Sequence, residues 1–234
     1  MEPAAKLLTI VVPVYNEAAS VGQTLARLLK TDLDIPFEVI VVDDGSTDDS
    51  ATIMRRLADG DGVVRLVRHE RNLGKGAAVR TGIEAANGDL LTILDADLEL
   101  EPASFRELIP PIVDGEADVA YGVRLFSRSA ISFWAVAGNR IVSLWTSLLF
   151  NTWIADVESC FKVASIELWR SLDLRSNGFG FEAECTAKFL RRRLRVYQAP
   201  IAYRARGKQD GKKIRWTDGV TALWILLRVR VFGA

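Results

Sequence analysis

The sequence predicts an α/β fold built on a doubly wound, mostly parallel sheet, and three observations support this. The chain has 234 residues, of which 49% are apolar and 26% charged, as is typical of a globular chain with one substantial core. Short, nearly continuous apolar runs suit strands that are buried on both faces of a parallel sheet. Helical patterns separate these runs through the first 125 residues, and such alternation is typical of doubly wound sheets.

The strands and helices can be assigned in order along this first half. We predict strands at the apolar, β-branched runs 7–14, 39–42, 63–67, 90–94 and 118–122. We predict helices between the first four strands, at 21–29, 48–57 and 74–86. Ser20 is expected to cap the first of these helices. The inward face of that helix is expected to carry Val21, Leu25, Leu28 and Leu29.

The second half of the chain has a different character, because two of its segments are rich in tryptophan, phenylalanine and aliphatic residues. These segments span residues 130–155 and 216–232. Arg140 interrupts the first and Arg228 lies near the end of the second, so neither offers about 20 uninterrupted apolar residues for crossing a bilayer. We predict C-terminal amphipathic helices that lie in a membrane interface. Amphipathic helices packed on the sheet or on a second subunit are the alternative.

Charge is distributed unevenly along the chain, although 30 basic and 30 acidic residues cancel. Residues 1–118 carry 11 Lys and Arg against 22 Asp and Glu, and residues 119–234 carry 19 against 8, which gives −11 and +11. A nucleic-acid-binding protein would be more uniformly basic, so nucleic acid is not an expected partner. A cation-binding acidic half and an anion-binding basic half would produce this asymmetry, and so would two unevenly charged solvated faces.

The small number of cysteine and histidine residues excludes several kinds of site. Cys160, Cys185 and His69 are too few for a Cys/His zinc site. No nucleophilic serine motif lies near His69, so we predict no hydrolytic triad and expect a surface or strand-end histidine. Both cysteines are expected to be small buried residues in a reducing compartment. The N-terminus lacks the pattern of a secretion signal, and we therefore expect a cytoplasmic location.

Polar residues follow the predicted strands at the point where each strand ends. Asp95 and Asp97 follow the fourth strand, and Glu99 comes two residues later. Carboxylates at this spacing can bind one hard divalent cation, and Mg²⁺ or Mn²⁺ held in this way commonly bridges a diphosphate. Asp43 and Asp44 follow the second strand, where nucleotide-binding folds place an acid that accepts a hydrogen bond from a ribose or a base. We expect these side chains at one edge of the sheet.

The third predicted helix begins with a glycine-rich segment at residues 72–76. Its backbone N–H groups and Lys75 are expected to bind phosphate oxygens. The segment is not a P-loop, because the glycine spacing and the following Ser or Thr are absent, and no GxGxxG motif follows the first strand. These two absences weigh against an NTPase and against a nicotinamide-dependent dehydrogenase.

Four motifs in the first half occur in a specific order and spacing. They are VVPVYNE (11–17), VVDDGSTDD (41–49), RNLGKGAAVRTG (71–82) and LDADLE (94–99). With them the chain resembles the inverting glycosyltransferases of family 2, which have the GT-A fold. The second half resembles the polyprenyl-phosphate glycosyltransferases, the group of the dolichyl-phosphate mannose and glucose synthases. The motifs of this second resemblance are GVR (122–124), AGNRIVSLWTSLLF (137–150), DVESCFKV (156–163), GFGFEAE (178–184) and YRARGKQDGKKIRWTDG (203–219).

This resemblance implies roles for individual residues and halves of the chain. Residues 1–125 would form the nucleotide-sugar-binding half, and residues 126–234 the acceptor-binding half, of a single GT-A domain. The implied nucleoside contacts are Pro13, Tyr15, Glu17 and Asp44. The implied metal and diphosphate residues are Asp95 and Asp97, joined by Glu99, which stands where many mannose synthases of the group have glutamine. The expected catalytic cations are Arg124 and Arg206, and the further expected substrate contacts are Asp43, Lys75, Arg140 and Lys213.

The implied reaction is the transfer of a hexose from a UDP- or GDP-sugar to polyprenyl phosphate, with inversion and with Mg²⁺ or Mn²⁺ as cofactor. The enzyme would lie peripherally on the cytoplasmic face of a membrane. One alternative is transfer to a glycan or glycolipid hydroxyl, for which Glu182 or Glu184 would be the general base, although both also suit the acidic first turn of a helix. Another is a non-catalytic GT-A protein that binds nucleotide. A second copy of the chain or a small membrane protein remain open as partners.

Overall fold

The computed structural model describes residues 6–58, 62–125, 132–205 and 216–233. Within these ranges, seven strands form one sheet. The strands are β1 (Leu8–Val14), β2 (Phe37–Asp43), β3 (Val64–Arg68), β4 (Leu90–Ile93), β5 (Val119–Arg124), β6 (Lys162–Ser165) and β7 (Val196–Ile201). Their order is β3-β2-β1-β4-β6-β5-β7, and all pairings are parallel except the two made by β6. The predicted α/β class and mostly parallel sheet are confirmed.

The reversed direction of β6 decides what meets at the edge where the other strands end. A parallel strand contributes the residues after it to this edge, whereas β6 contributes the residues before it. β6 lies between β4 and β5, with Leu91 opposite Ala164 and Tyr121 opposite Lys162. Residues 156–161 therefore lie at the same edge as the segments that follow β4 and β5.

The helices pack around this sheet in two buried clusters. The helices are α1 (Val21–Lys30), α2 (Ser50–Ala58), α3 (Lys75–Ala85), α4 (Phe105–Leu108), α5 (Pro110–Val113), α6 (Phe133–Phe150), α7 (Ile166–Ser171), α8 (Phe181–Arg191) and α9 (Trp216–Phe232). The main core contains the strands together with residues such as Leu25 of α1 and Phe189 of α8. A second cluster joins Val142 of α6, Ala187 of α8 and Leu226 of α9. Helix α8 contributes to both clusters and so connects α6 and α9 to the sheet.

Some local expectations are confirmed and others are wrong. Cys160 and Cys185 are buried and unpaired, as expected. Ser20 does not cap α1, because its hydroxyl donates to the Glu17 carboxylate at 2.8 Å instead of accepting from a helix amide. Leu29 is 39% exposed, since the 100° step of the helix carries it beyond the buried face. The sequence also did not reveal β6 and β7, through which the second half of the chain completes the sheet.

Helices α6 and α9 expose many large apolar side chains. The most exposed of these, together with Trp153 just beyond α6, are Phe133, Trp134, Ile141, Leu144, Leu148, Val220, Trp224, Val231 and Phe232. None of the helices in the described ranges combines the length and the apolar character that a membrane crossing requires. An apolar surface of this size on two adjacent helices is characteristic of an interaction site.

Candidate active site

A cavity of about 450 Å³ opens where β1, β2 and β4 end, and we call it the edge cavity. It brings together most of the residues that the sequence analysis selected, along with others that it did not. The polar residues lining it are Tyr15, Glu17, Asp44, Asn72, Lys75, Asp95, Asp97, Glu99, Arg124, Glu158 and Glu182. Pro13 and Phe179 contribute apolar surface.

Asp44 is fixed at one end of the edge cavity by several donors. Its carboxylate accepts the backbone N–H of Leu73 at 2.9 Å and that of Gly74 at 2.8 Å. It also accepts a hydrogen bond of 2.7 Å from Nδ1 of His69, whose Nε2 lies 2.9 Å from the Thr81 hydroxyl. His69 follows β3 directly, as the strand-end expectation stated, but it is mostly buried and orients Asp44.

The start of α3 differs from the expected phosphate-binding segment. The N–H groups of Leu73 and Gly74 are bound by Asp44, and the N–H of Ala77 donates to the carbonyl of Asn177. Gly74 has a φ of 99°, and a Cβ at this position would collide with the Asn177 carbonyl. These three amides therefore hold the turn and the loop before α8 in place, and the expectation that the backbone here binds phosphate is wrong for them.

Lys75 lies against both oxygens of Asp95, with Nζ 2.8 Å from Oδ1 and 2.9 Å from Oδ2. The same ammonium is 3.2 Å from Oε1 of Glu182. Burial alone would lower the pKa of Lys75, but the charges of Asp95 and Glu182 outweigh it and hold that pKa above its ordinary value. Lys75 thus remains a cation inside the edge cavity.

Asp95, Asp97 and Glu99 all line the edge cavity, and their chemistry suits a divalent cation. Three carboxylates supply the hard oxygen ligands that Mg²⁺ and Mn²⁺ prefer. The ammonium of Lys75 on both Asp95 oxygens shows that this position already attracts a positive charge. Among the residues that the structure describes, no group of three or more potential ligands converges into a preformed metal centre. A metal ion bound by these carboxylates would therefore need further ligands, such as the oxygens of a bound substrate.

Arg124 lines the opposite end of the edge cavity and is held by Asp156. Its Nε lies 2.7 Å from Oδ2 of Asp156, and its Nη2 lies 2.8 Å from Oδ1. The guanidinium also lies over the Tyr203 ring, 5.4 Å from the centroid. Burial would raise the pKa of Asp156, yet Arg124 outweighs it and keeps that pKa low. This fork-to-fork pair gives the cation a fixed orientation toward the cavity.

Glu158 lines the edge cavity and was not selected from the sequence. Its Oε1 atom is buried and has no hydrogen-bond partner among the described residues. Burial, reinforced by the charge of Glu182, raises the pKa of Glu158 to about 7. The motif DVESCFKV contains this residue, which reaches the cavity because residues 156–161 precede the antiparallel strand β6.

The remaining selected residues lie outside the edge cavity or outside the described ranges. Asp43 is fully buried, and its Oδ1 accepts the Ser46 N–H at 2.8 Å, so it holds the turn after β2. Arg140 is exposed on α6 and does not line the cavity. Arg206 and Lys213 lie outside the described residues.

The two glutamates of α8 have different surroundings. Glu182 faces the edge cavity and pairs with Lys75 and, at 2.6 Å, with Lys162. Glu184 faces away from the cavity, and its carboxylate accepts the N–H groups of Arg175 and Ser176. Of the two, only Glu182 lines the cavity where it could contact a substrate, and its carboxylate is already paired with two ammonium groups.

Glu158 should make stability fall as the pH rises. Its ordinary pKa is 4.5 and its folded value about 7, so the folded chain retains a proton that the unfolded chain releases between these values. Glu158→Gln should therefore match the wild type at pH 4 and exceed its unfolding free energy by up to about 3 kcal/mol at pH 8. Urea titrations at both pH values measure this.

Glu184→Gln is the matched control and should behave in the opposite way. Burial would raise the pKa of Glu184, but Lys188 and the Ser176 amide outweigh it and lower that pKa. The ionised carboxylate therefore stabilises the fold above its unfolded pKa, and this contribution is lost as the pH falls through the folded value. Glu184→Gln should be less stable than the wild type at pH 8. If Glu158→Gln increased the unfolding free energy by the same amount at both pH values, the raised pKa assigned to Glu158 would be contradicted.

The chain is similar to one protein family and to several characterised proteins. The family model described as glycosyl transferase family 2 matches residues 9–162. The glycosyltransferase AglD of Haloferax volcanii is 29% identical over 235 residues, covering 95% of this chain and 38% of that protein. The undecaprenyl-phosphate 4-deoxy-4-formamido-L-arabinose transferase of Pseudomonas aeruginosa is 38% identical over 141 residues, covering 59% and 41%. The dodecaprenyl-phosphate galacturonate synthase of Rhizobium johnstonii is 35% identical over 120 residues, covering 50% and 36%.

This chain spans less than half the length of these three relatives. Its fold is similar to that of glucosyl-3-phosphoglycerate synthase from Mycobacterium tuberculosis, with a TM-score of 0.73 and 22% identity. The similarity covers 97% of this chain and 80% of that one, whose structure holds Mn²⁺, UDP and glucosyl-3-phosphoglycerate. At this identity the similarity concerns the fold.

Proposed function

Because this chain belongs to glycosyl transferase family 2, we propose that it transfers a hexose from a nucleotide sugar to a polyprenyl phosphate. Two relatives that match half of the chain or more are named for undecaprenyl phosphate and dodecaprenyl phosphate. One observation carries the proposal: the edge cavity joins the acidic segment after β4 to the mostly buried cation Arg124. A reaction between two phosphate-bearing substrates needs these two features side by side.

The donor nucleotide sugar would lie along the edge cavity, with its parts following the order of the strands from β2 and β1 to β4. The nucleoside would contact Tyr15, Glu17 and the fixed carboxylate of Asp44, and the diphosphate would reach Asp95 and Asp97. A divalent ion held by these two aspartates and Glu99 would supply positive charge to the diphosphate as it leaves. Lys75 pairs with Asp95, and its ammonium group would turn toward a diphosphate oxygen when the donor binds.

The acceptor phosphate needs orientation more than activation. A phosphate monoester loses its second proton near pH 6, so it is an anionic nucleophile at neutral pH without a general base. One of its oxygens would form a bond to the anomeric carbon while the bond from that carbon to the diphosphate breaks on the opposite face. This displacement inverts an α-linked donor to a β-linked product. Arg124 would hold the incoming anion, since Asp156 fixes its guanidinium at the cavity.

A transfer assay tests the proposal directly. Purified protein would be incubated with Mn²⁺, detergent-solubilised polyprenyl phosphate and one labelled donor, either UDP-glucose, UDP-N-acetylglucosamine or GDP-mannose. Label that moves into a mild-acid-labile lipid supports the proposal. Label that moves only to a saccharide or glycolipid hydroxyl would overturn it in favour of the hydroxyl-acceptor alternative, and nucleotide binding without turnover would favour a binding protein.

The exposed apolar residues of α6 and α9 are proposed to bring the enzyme to its lipid acceptor on the cytoplasmic face of a membrane. Helices that lie in a membrane interface insert apolar side chains among lipid headgroups without spanning the bilayer. Trp134 is 80% exposed and Trp224 59% exposed, which is costly in water and favourable at a membrane interface. The exposed Arg140 on α6 would face anionic lipid headgroups.

Replacing both Trp134 and Trp224 with serine should weaken binding to vesicles at least about tenfold, because each exposed indole loses its burial in lipid. The measurement is flotation with vesicles of 70% phosphatidylcholine and 30% phosphatidylglycerol. Leu29→Ser on α1 removes a partly exposed apolar residue from elsewhere on the surface and should float like the wild type. Equal flotation of all three proteins would contradict the membrane assignment.

A further inference from the structure

A second, small recess of about 30 Å³ lies beside the edge cavity and shares Glu158 and Arg124 with it. Its polar walls are Asp95, Asp97, Glu99, Arg124, Glu158 and Tyr203. This volume accommodates a single water-sized group such as one hydroxyl. Glu158, which lines this recess, also has a buried Oε1 atom with no hydrogen-bond partner among the described residues. Buried carboxyl oxygens normally have a partner, so an unpartnered one on a residue that lines a recess indicates a missing ligand group.

The strand order indicates which part of a ligand reaches this recess. Across the sheet the order of the relevant strands is β2, β1, β4, β6 and β5. Asp44 follows β2, Glu17 follows β1 and Asp95 follows β4, whereas Glu158 precedes the antiparallel β6. A nucleotide sugar with its nucleoside over β1 and β2 and its diphosphate at β4 would therefore place its sugar next, over β6. The location of Glu158 is that of the sugar and not of the base.

We propose that Glu158 binds a hydroxyl of the transferred sugar and so helps to select the donor. This inference rests on the donor half of the proposed function. The Glu158 carboxyl group is the contacting group, and the recess shared with Arg124 and Tyr203 receives the hydroxyl. A carboxyl group suits this task in either protonation state, because it accepts from a hydroxyl when ionised and can also donate when protonated.

The surroundings of Glu158 favour a hydroxyl over a metal ion as its ligand. Burial and the nearby Glu182 favour the protonated carboxyl, which is a good partner for a neutral sugar and a poor one for a cation. The inferred substrate class is a sugar that presents an uncharged hydroxyl group toward β6.

Calorimetric binding to the purified protein with Mn²⁺ tests this without any acceptor. Two pairs of probes are compared first with the wild type, UDP with UDP-glucose and GDP with GDP-mannose. The pair whose nucleotide sugar binds more tightly is then used for the variants. Glu158→Ala should weaken the Kd of the nucleotide sugar about tenfold, as expected for loss of one buried hydrogen bond, while the Kd of the nucleoside diphosphate changes less than twofold. Glu158→Gln, which keeps an acceptor and a donor, should stay within about threefold of the wild type for both.

Two results would overturn the inference. Equal weakening of both ligands by Glu158→Ala would assign the residue to the metal or the diphosphate, and unchanged binding of both would leave it without a role in donor binding. Thermal melting of each variant in Mn²⁺ checks that the fold is intact. Because no lipid is present, a failure here is distinct from a failure of the proposed acceptor, which the transfer assay measures.

Discussion

Replacing Asp97 with asparagine is expected to reduce sugar transfer about 10²- to 10³-fold while leaving the fold intact. Asp97 lines the edge cavity, and one of its oxygens accepts the Glu99 N–H at 3.1 Å. Asparagine keeps this acceptor and therefore the local turn, but it removes the negative charge that a divalent ion needs. Loss of one preorganised charge at a leaving diphosphate typically has an effect of this size. Initial rates at saturating donor, measured across a Mn²⁺ titration, give the result.

Two additional measurements separate a metal role from a structural one. The affinity of Asp97→Asn for Mn²⁺, followed by electron paramagnetic resonance, should fall together with the activity, while the midpoint of urea unfolding stays at the wild-type value. Asp49→Asn provides the matched control, because Asp49 is exposed just before α2 and does not line the edge cavity. Near-normal transfer by Asp97→Asn, or full activity in EDTA, would contradict the role assigned to this carboxylate.

The parts of the fold that could be predicted are those whose burial is uniform. β1 and β2 lie inside the sheet, so both faces are apolar and the sequence shows them as continuous runs. β6 is equally buried, but it begins with Lys162, whose partner Glu182 is supplied by α8. β7 is an edge strand in which Pro200 is exposed and buried residues alternate with exposed ones. A buried strand that contains a charge neutralised by a distant partner does not show a continuous apolar run in the sequence. An edge strand that buries only one face does not show one either.

The residues of the candidate site also divide into those that the sequence could predict and those that it could not. Asp44 and Asp95 were predictable, because residues that follow parallel strands must meet at one edge. The sequence could not separate Asp44 from Asp43, although adjacent residues at a strand end point to opposite sides and only Asp44 reaches the edge cavity. Asp156 and Glu158 precede a strand, and they become part of the site only because β6 runs antiparallel.

Replacing Lys162 with methionine is expected to lower the free energy of unfolding by about 3 to 5 kcal/mol. The Lys162 side chain is fully buried, and its ammonium binds Glu182 at 2.6 Å, the carbonyl of Val157 at 3.1 Å and the carbonyl of Ser159. It also lies 5.2 Å from the centroid of the Tyr121 ring. Methionine fills similar space, but it leaves the Glu182 carboxylate buried with half of its positive partners. Urea unfolding at pH 7 measures the loss.

The size of this loss depends on burial, and two comparisons test that. Glu101→Gln breaks the partly exposed pair between Arg27 and Glu101, 3.8 Å apart, and should change the unfolding free energy by less than about 1 kcal/mol. Adding Glu182→Gln to Lys162→Met removes the uncompensated charge and should recover part of the stability. A double variant less stable than Lys162→Met alone would mean that Lys162 acts through its carbonyl contacts. Glu182 pairs with Lys75, which lies beside Asp95, and Lys162 helps to hold Glu182 in place. Lys162→Met should therefore also weaken donor binding, even under conditions in which this variant remains folded.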